Sequence, residues 1–323
     1  MAILGAGFMG SALTVPATDN GHTVALWGTH LDGHLVEAVQ RGRRHPKLGL
    51  RLPRAVRAFP EPALAVALAG ADLVVNAVTS DGALPVLRRA RGYLTPGVPL
   101  LSVSKGLAGR GGRVVTLSQA IRETTGLRVV SAGGPSKAVE LARRVPTAVV
   151  YAAPDARARG AARRLLATRY YAVAESADQR GLELCSALKN AYAIGVGLCD
   201  GLIAAGRGET LYNTKSALFT QAVREIGRLA RRVGASPDTA MGLGGAGDLH
   251  VTAVAGRNRI FGELRGRGLP TARVVARLRR RDELTEGYAA IQASAAVVVF
   301  FVLIVALTFA QWLAFRRRVH YTT

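Results

Sequence analysis

The chain has 323 residues and a formal net charge of +22, from 43 Lys and Arg against 21 Asp and Glu. That length buries a substantial core and accommodates two domains. The basic residues are scattered and mostly arginine, no nucleic-acid motif accompanies them and aromatics are only 6%, which argues against a nucleic-acid binder and leaves anionic small molecules or a membrane surface as partners.

A first strand is expected at Ile3-Leu4, almost at Met1 and with no secretory signal before it. Gly5-Ala6-Gly7-Phe8-Met9-Gly10 then reads as a tight turn and a helix start. Glycines there permit the turn and close backbone approach to a pyrophosphate, and the helix N-terminus supplies amides. Pro16 is expected to kink that helix. A second strand follows at Thr23 to Trp27, and further buried strands at Asp72 to Val78, Pro99 to Val103 and Arg128 to Ser131. Alternation with helical or loop segments predicts an α/β fold, with a Rossmann-type doubly wound parallel sheet over residues 1–155. The second strand ends in Trp27-Gly28-Thr29-His30, with the nearest acid, Asp32, falling late for a ribose 2′-hydroxyl. That leans toward NADP, or toward use of both NADP and NAD, with Thr29 as a contact.

From Ala156 the pattern turns helical, through Arg157 to Leu166, Leu184 to Ile203 and Asn213 to Val233, predicting an all-α substrate domain over residues 156–287. Lys189 is the only charge between Leu184 and Leu198. An ammonium buried there has a lowered pKa and suits proton transfer, whereas one that snorkels or opens the helix does not. Cys185 and Cys199 share this segment, too far apart on one helix for a disulfide and with no metal-ligand cluster around them. They read as small core residues in a reducing compartment, and no metal is expected. A Gly-rich loop, Gly242 to Gly247, ends at Asp248 and suits a backbone pressed against a ligand.

In chain order stand Gly5 to Gly10, Ser104-Lys105-Gly106, Gly134-Pro135-Ser136, Leu188-Lys189-Asn190, Gly247-Asp248-Leu249, Arg257-Asn258-Arg259 and Glu286-Gly287. This ordered set resembles the NAD(P)-dependent glycerol-3-phosphate dehydrogenase family of the bacterial type, from Ile3 to about Gly287. Asp178 to Asn190 is the most specific stretch. The resemblance implies interconversion of sn-glycerol 3-phosphate and dihydroxyacetone phosphate, a glycerophospholipid precursor step, with a small phosphorylated substrate and a possible homodimer. It assigns acid–base chemistry to Lys189 with Asp248. Substrate contacts fall to Lys105, Gly134, Ser136, Lys189, Asp248, Arg257 and Asn258. Cofactor contacts fall to Gly5, Gly7, Phe8, Met9, Gly10, Thr29, Lys105, Ala138, Arg257 and Glu286. Arg259 reads as a helper or a surface charge, and Asn213-Thr214-Lys215 as helix packing. Many members carry a serine before the Arg-Asn pair; here Gly256 precedes Arg257, so one hydroxyl contact is missing.

Gly287 to Phe315 is 29 residues without an acid, Lys, Arg or His, and Arg316-Arg317-Arg318 closes it. About 20 apolar residues cross a bilayer, so residues 288–323 are expected to form a transmembrane-like helix and basic tail, with membrane contact through 293–315. A buried core helix is the alternative. Ser294 to Tyr321 resembles the last membrane helix of a sugar ABC transporter permease, which makes the chain a fusion with a truncated substrate domain. Cytoplasmic catalytic domains tethered to the inner membrane follow from that reading. Two rival functions stand beside the first: a related dehydrogenase of another small 2-hydroxy acid or phosphate, and a catalytically impaired fusion remnant.

Overall fold

Apolar runs too short for a helix, such as Ala2–Leu4 and Leu100–Ser102, form strands covered on both faces. The computed structural model describes residues 1–110 and 112–280. Its strands are β1 (Ala2–Leu4), β2 (Val24–Trp27), β3 (Val56–Phe59), β4 (Val74–Asn76), β5 (Leu100–Ser102), β6 (Leu107–Arg110), β7 (Arg113–Thr116), β8 (Val129–Gly133), β9 (Thr147–Ala152) and β10 (Tyr171–Ser176). Helices α1 (Phe8–Asp19), α2 (Gly33–Gln40), α3 (Leu64–Leu68), α4 (Ser80–Ala90), α5 (Leu117–Thr125), α6 (Ala138–Ala142) and α7 (Ala156–Leu166) lie among them. Then come α8 (Gln179–Ala204), α9 (Tyr212–Arg232), α10 (Asp238–Met241), α11 (Asp248–Ala255), α12 (Arg257–Gly266) and α13 (Thr271–Arg280).

Eight strands form one sheet in the order β10-β9-β8-β5-β4-β1-β2-β3, and β6 pairs with β7 in a separate hairpin. All neighbours in the sheet run parallel except β8 and β9. The order reverses between β1 and β4, the switch point where open α/β sheets bind ligands at the carboxyl ends of their strands. Alternation along β1 separates two cores: Ile3 packs with Leu13, Leu26 and Val75, whereas Ala2 and Leu4 pack with Trp27, Leu87 and Leu100.

Every expected strand is present. Helix α1 continues through Pro16 to Asp19. The sheet, however, runs on through α7 and β10 to Ser176, beyond the boundary expected at 155. Helix α7 is basic and amphipathic as its sequence says, but its buried Ala158, Ala162 and Leu166 join the sheet's own core. The helical half therefore begins with α8.

Helices α8 and α12 cross with their backbones almost touching. A Cβ on Gly197 would lie 2.1 Å from the Arg259 carbonyl, and one on Gly262 would lie 2.0 Å from that of Ile194. Gly201 and Gly266, one turn further along, are equally close to the opposite backbone. Four glycines at this spacing bring the start of α12 down onto the middle of α8. No helix among the described residues is long and apolar enough to cross a membrane. The expected helix over 288–323, with its membrane contact at 293–315, lies outside them, as does Glu286.

Candidate active site

Asp178 to Asn190 joins the two halves. Asp178 caps α8 by accepting from the Gly181 amide at 2.9 Å, and its other oxygen accepts from the Ser236 amide at 3.0 Å. Gln179 donates to the Val129 carbonyl and Ser131 Oγ of β8. Glu183 accepts from the Ser118 amide at 3.0 Å and Ser118 Oγ at 2.6 Å. Burial pushes the Glu183 carboxyl above its ordinary pKa, against the pull of those bonds. With α8 tied to β8 and α5 at its first two turns, the next turns project over the carboxyl edge of the sheet.

There Lys189 meets Asp248, the first residue of α11. Asp248 is 2% exposed and Lys189 6%. Lys189 Nζ donates to Asp248 Oδ1, and Lys105 Nζ donates to Oδ2 at 2.8 Å. One carboxylate thus bridges two ammonium groups, and the trio carries a net positive charge. Burial lowers the Lys189 pKa, Lys105 lowers it further and Asp248 opposes both, leaving it at about 8. Burial raises the Asp248 carboxyl, but the two lysines together hold it below its ordinary value. Lys189 is neither snorkelling nor at a helix start.

Of the other expected substrate residues, Gly134 and Asn258 lie on segments that touch the chain neighbours of this trio, Gly247 and Asn190. Gly134, at φ +109° after β8, leads into Pro135, whose Cδ lies 3.3 Å from where a Cβ on Gly247 would sit. Ser136 Oγ is buried and has no hydrogen-bond partner among the described residues. Asn258, buried in the first turn of α12, donates from Nδ2 to Asn190 Oδ1 at 2.8 Å, leaving its Oδ1 buried and without a partner among those residues. Arg257 opens the same helix on its exposed side. Gly256, where a serine was expected, is the N-cap; a Cβ there would fall 2.3 Å from the Thr252 carbonyl. The single-residue connection between α11 and α12 leaves no room for a side chain at Gly256.

Arg259 is not in this group. It pairs with Asp200 at 2.8 Å, and Lys215 takes the other oxygen of Asp200 at 2.6 Å. Together they join α8, α9 and α12. Cys185 and Cys199 are free and buried, and burial pushes the Cys185 thiol up to about 12, which suits inert core residues.

The glycine turn follows β1 at the switch point. Gly5 has φ +112°, and a Cβ on it would strike the Ala77 carbonyl at 2.8 Å. A Cβ on Gly10 would lie 2.0 Å from the Gly5 carbonyl, whereas one on Gly7 would meet nothing within 4 Å. Gly7 is the N-cap of α1 and supplies no side-chain cap, so the first-turn amides face an open side. This fits a pyrophosphate. Phe8 is half exposed, with Lys47 Nζ 5.6 Å from its ring centroid, and Met9 packs partly on the core. Ala138 opens α6, which packs against α1. Thr29, two residues beyond β2, donates from amide and hydroxyl to Asp32 Oδ2 at 3.0 and 2.9 Å.

Contacts run without a break from this turn to the lysines. Gly5 and Gly10 abut Ala77; Ser104 Oγ donates to the Val78 carbonyl at 2.6 Å, and Ser80 Oγ to that of Lys105. Lys105 then reaches Asp248. Asn76, fully buried at the end of β4, donates to Ser102 Oγ and Ser104 Oγ and braces the strand that delivers Lys105. No role was assigned in sequence to Asn76, Gln179 or Asn190, and Asn258 stood there only as an expected substrate contact. Only Asn76 carried a signal, as a polar residue inside an apolar strand.

Two family models match the chain: the NAD-dependent glycerol-3-phosphate dehydrogenase N-terminus over residues 1–159 and the C-terminus over residues 178–299. The second runs to residue 299, so the family pattern extends beyond Gly287, where the resemblance was expected to end, and the permease resemblance of the tail finds no support. An NADP(+)-dependent glycerol-3-phosphate dehydrogenase of Archaeoglobus fulgidus is 37% identical over 89% of this chain and 86% of its own length. A glycerol-3-phosphate dehydrogenase [NAD(P)+] of Azotobacter vinelandii is 36% identical over 89% of this chain and 81% of its own. Among solved structures, a glycerol-3-phosphate dehydrogenase from Coxiella burnetii superposes with a TM-score of 0.80 at 28% identity, covering 93% of this chain and 89% of that one.

Proposed function

The chain belongs to the NAD-dependent glycerol-3-phosphate dehydrogenase family, and from that premise we infer that it is an NAD(P)-dependent oxidoreductase interconverting sn-glycerol 3-phosphate and dihydroxyacetone phosphate. The observation that carries the chemistry is the Lys189–Asp248–Lys105 trio, with Lys189 and Asp248 buried, at the end of the path leading from the glycine turn. When bound, the nicotinamide supplies the acceptor or donor of the hydride. The first-turn amides of α1, with Gly7, hold its pyrophosphate, and Lys105 lies where the glycine turn and the lysine site meet.

Lys189 moves the proton. In ketone reduction its ammonium donates to the carbonyl oxygen; in alcohol oxidation its neutral amine accepts the C2 hydroxyl proton. A pKa near 8 keeps both forms accessible around neutrality. Asp248 positions both lysines and holds Lys189 protonated against desolvation. Lys105 adds positive charge beside the oxygen at which negative charge develops. The trio's net positive charge draws an anionic substrate. Arg257 offers a planar fork to the phosphate, at a helix N-terminus that favours anions. Asn258 Oδ1 and Ser136 Oγ, buried and unused, accept from and donate to substrate oxygens.

The test is direct: purified protein, sn-glycerol 3-phosphate and NADP+ or NAD+, followed by formation of the reduced nicotinamide. A panel with glycerol, lactate and other 2-hydroxy acids reads the need for phosphate. Preference for an unphosphorylated substrate overturns the assignment.

A further inference from the structure

The glycine turn is held from beneath by a histidine that the proposed chemistry does not use. His45 follows α2 in sequence and is fully buried. Its Nδ1 accepts from the Leu48 amide at 3.3 Å, which places the single proton of a neutral ring on Nε2. Nε2 lies 3.0 Å from the Ala6 carbonyl oxygen and 3.0 Å from Ser11 Oγ. Ser11 Oγ, also buried, donates to the same carbonyl at 3.0 Å. The Ala6 carbonyl therefore accepts two bonds, from a loop beyond α2 and from the first turns of α1.

In a planar trans peptide the carbonyl and the next N–H point in opposite directions. Anchoring the Ala6 oxygen inward turns the Gly7 amide outward, toward the side where a Cβ on Gly7 would meet nothing. We infer that His45 is a positioning residue for the dinucleotide: through Ala6 it fixes the Ala6–Gly7 peptide so that the Gly7 amide and the α1 N-terminus face the pyrophosphate. This rests on the reading of the glycine turn as the NAD(P) site. The ring is suited to it because burial lowers its pKa, against the pull of the Ala6 carbonyl, and Lys47 lowers it further; Asp32 and His34 are the other charged or titratable groups acting on it. A second proton would go onto Nδ1, against the Leu48 N–H.

The experiment measures NADPH affinity by nucleotide fluorescence, with steady-state kinetics, for the full chain and for His45→Phe, His45→Gln and Ser11→Ala. Removing one buried bond corresponds to roughly a tenfold rise in Kd and KM for the cofactor. His45→Phe is expected to show that rise, with KM for glycerol 3-phosphate within about twofold of the parent. His45→Gln, whose amide supplies a donor near the Nε2 position, is expected to recover most of the loss. NADPH binding unchanged in His45→Phe overturns the inference, and so does an equal rise in KM for both substrates, which marks a general structural role. Should His45→Phe not fold, Ser11→Ala decides: a rise in cofactor Kd of about threefold, without change in substrate KM, supports the clamp, and no rise overturns it. If the parent chain itself binds no NADPH, the cofactor reading fails, whatever the variants do.

Discussion

Replacing Asp248 by Asn removes the one negative charge between two ammonium groups and keeps an amide of the same shape. Desolvation and Lys105 both act to deprotonate Lys189, and Asp248 is what holds its pKa as high as about 8. An opposite charge in contact is worth ~1–3 pKa units, so in Asp248→Asn the Lys189 pKa falls to roughly 5–7. At pH 7 the ammonium form then drops from about ten parts in eleven to between about one half and one hundredth. Dihydroxyacetone phosphate reduction needs that form, and at pH 7 it slows by roughly twofold to a hundredfold. Oxidation needs the neutral amine, rises with pH through the Lys189 pKa, and so moves its midpoint to lower pH. The assay is kcat/KM in both directions from acid to alkaline pH, which reports the free enzyme. Profiles that keep their midpoint near 8 in the variant would refute the claim that Asp248 sets the proton affinity of Lys189. A uniform loss at every pH would mean that Asp248 holds geometry alone.

Lys189→Ala is expected to lower turnover at least about a hundredfold with a smaller effect on cofactor binding, read by single-turnover and equilibrium measurements. Arg257→Lys should raise KM for glycerol 3-phosphate more than for glycerol, because lysine lacks the bidentate fork; equal losses would make Arg257 structural. NADPH should serve at least as well as NADH, since Asp32 spends its carboxylate on Thr29; a strong NADH preference in kcat/KM would show that an acid reaches the ribose. Glu183 has a raised folded-state pKa, so the stability its proton brings is complete at low pH and is lost as pH rises from the ordinary carboxyl range through the folded value. Denaturant midpoints of Glu183→Gln should accordingly improve relative to the parent as pH rises above the ordinary carboxyl range.

The sheet was legible because its strands are buried on both faces, and such strands appear as mostly apolar runs: β2, β4 and β5 fall inside the expected segments, and β1 and β8 overlap theirs. Strand β3 carries Arg57, and β9 and β10 sit at the sheet's other edge, where β10 alternates buried and exposed residues. Those were missed. Placing the boundary at 155 followed from the same gap, since a basic helix with no recognised strand after it looks like the start of a helical domain. Pairing of β10 with β9 along its whole length returns it to the sheet.

The sequence names candidate site residues but not their arrangement. Lys189 announced itself as a lone charge in an apolar segment, yet nothing in its neighbourhood of sequence says which acid meets it. Asp248 is 59 positions away, and their contact depends on two features of packing. One is the tie from Asp178, Gln179 and Glu183 to the sheet, which sets the angle of α8. The other is the glycine crossing of α8 on α12, which places Asn258 against Asn190 beside Lys189. Small residues one turn apart on both helices, Gly197 with Gly201 and Gly262 with Gly266, were visible in the sequence, but their meaning depends on the partner. A glycine pair on one helix is a weak spot in propensity, and two pairs facing each other are a contact. Glycine before Arg257 has a steric reason: α11 ends at Ala255, α12 begins at Arg257, and a Cβ on the residue between them would fall 2.3 Å from the Thr252 carbonyl. Arg257 and Asn258, the residues proposed to meet the substrate, stand directly after that glycine in the first turn of α12.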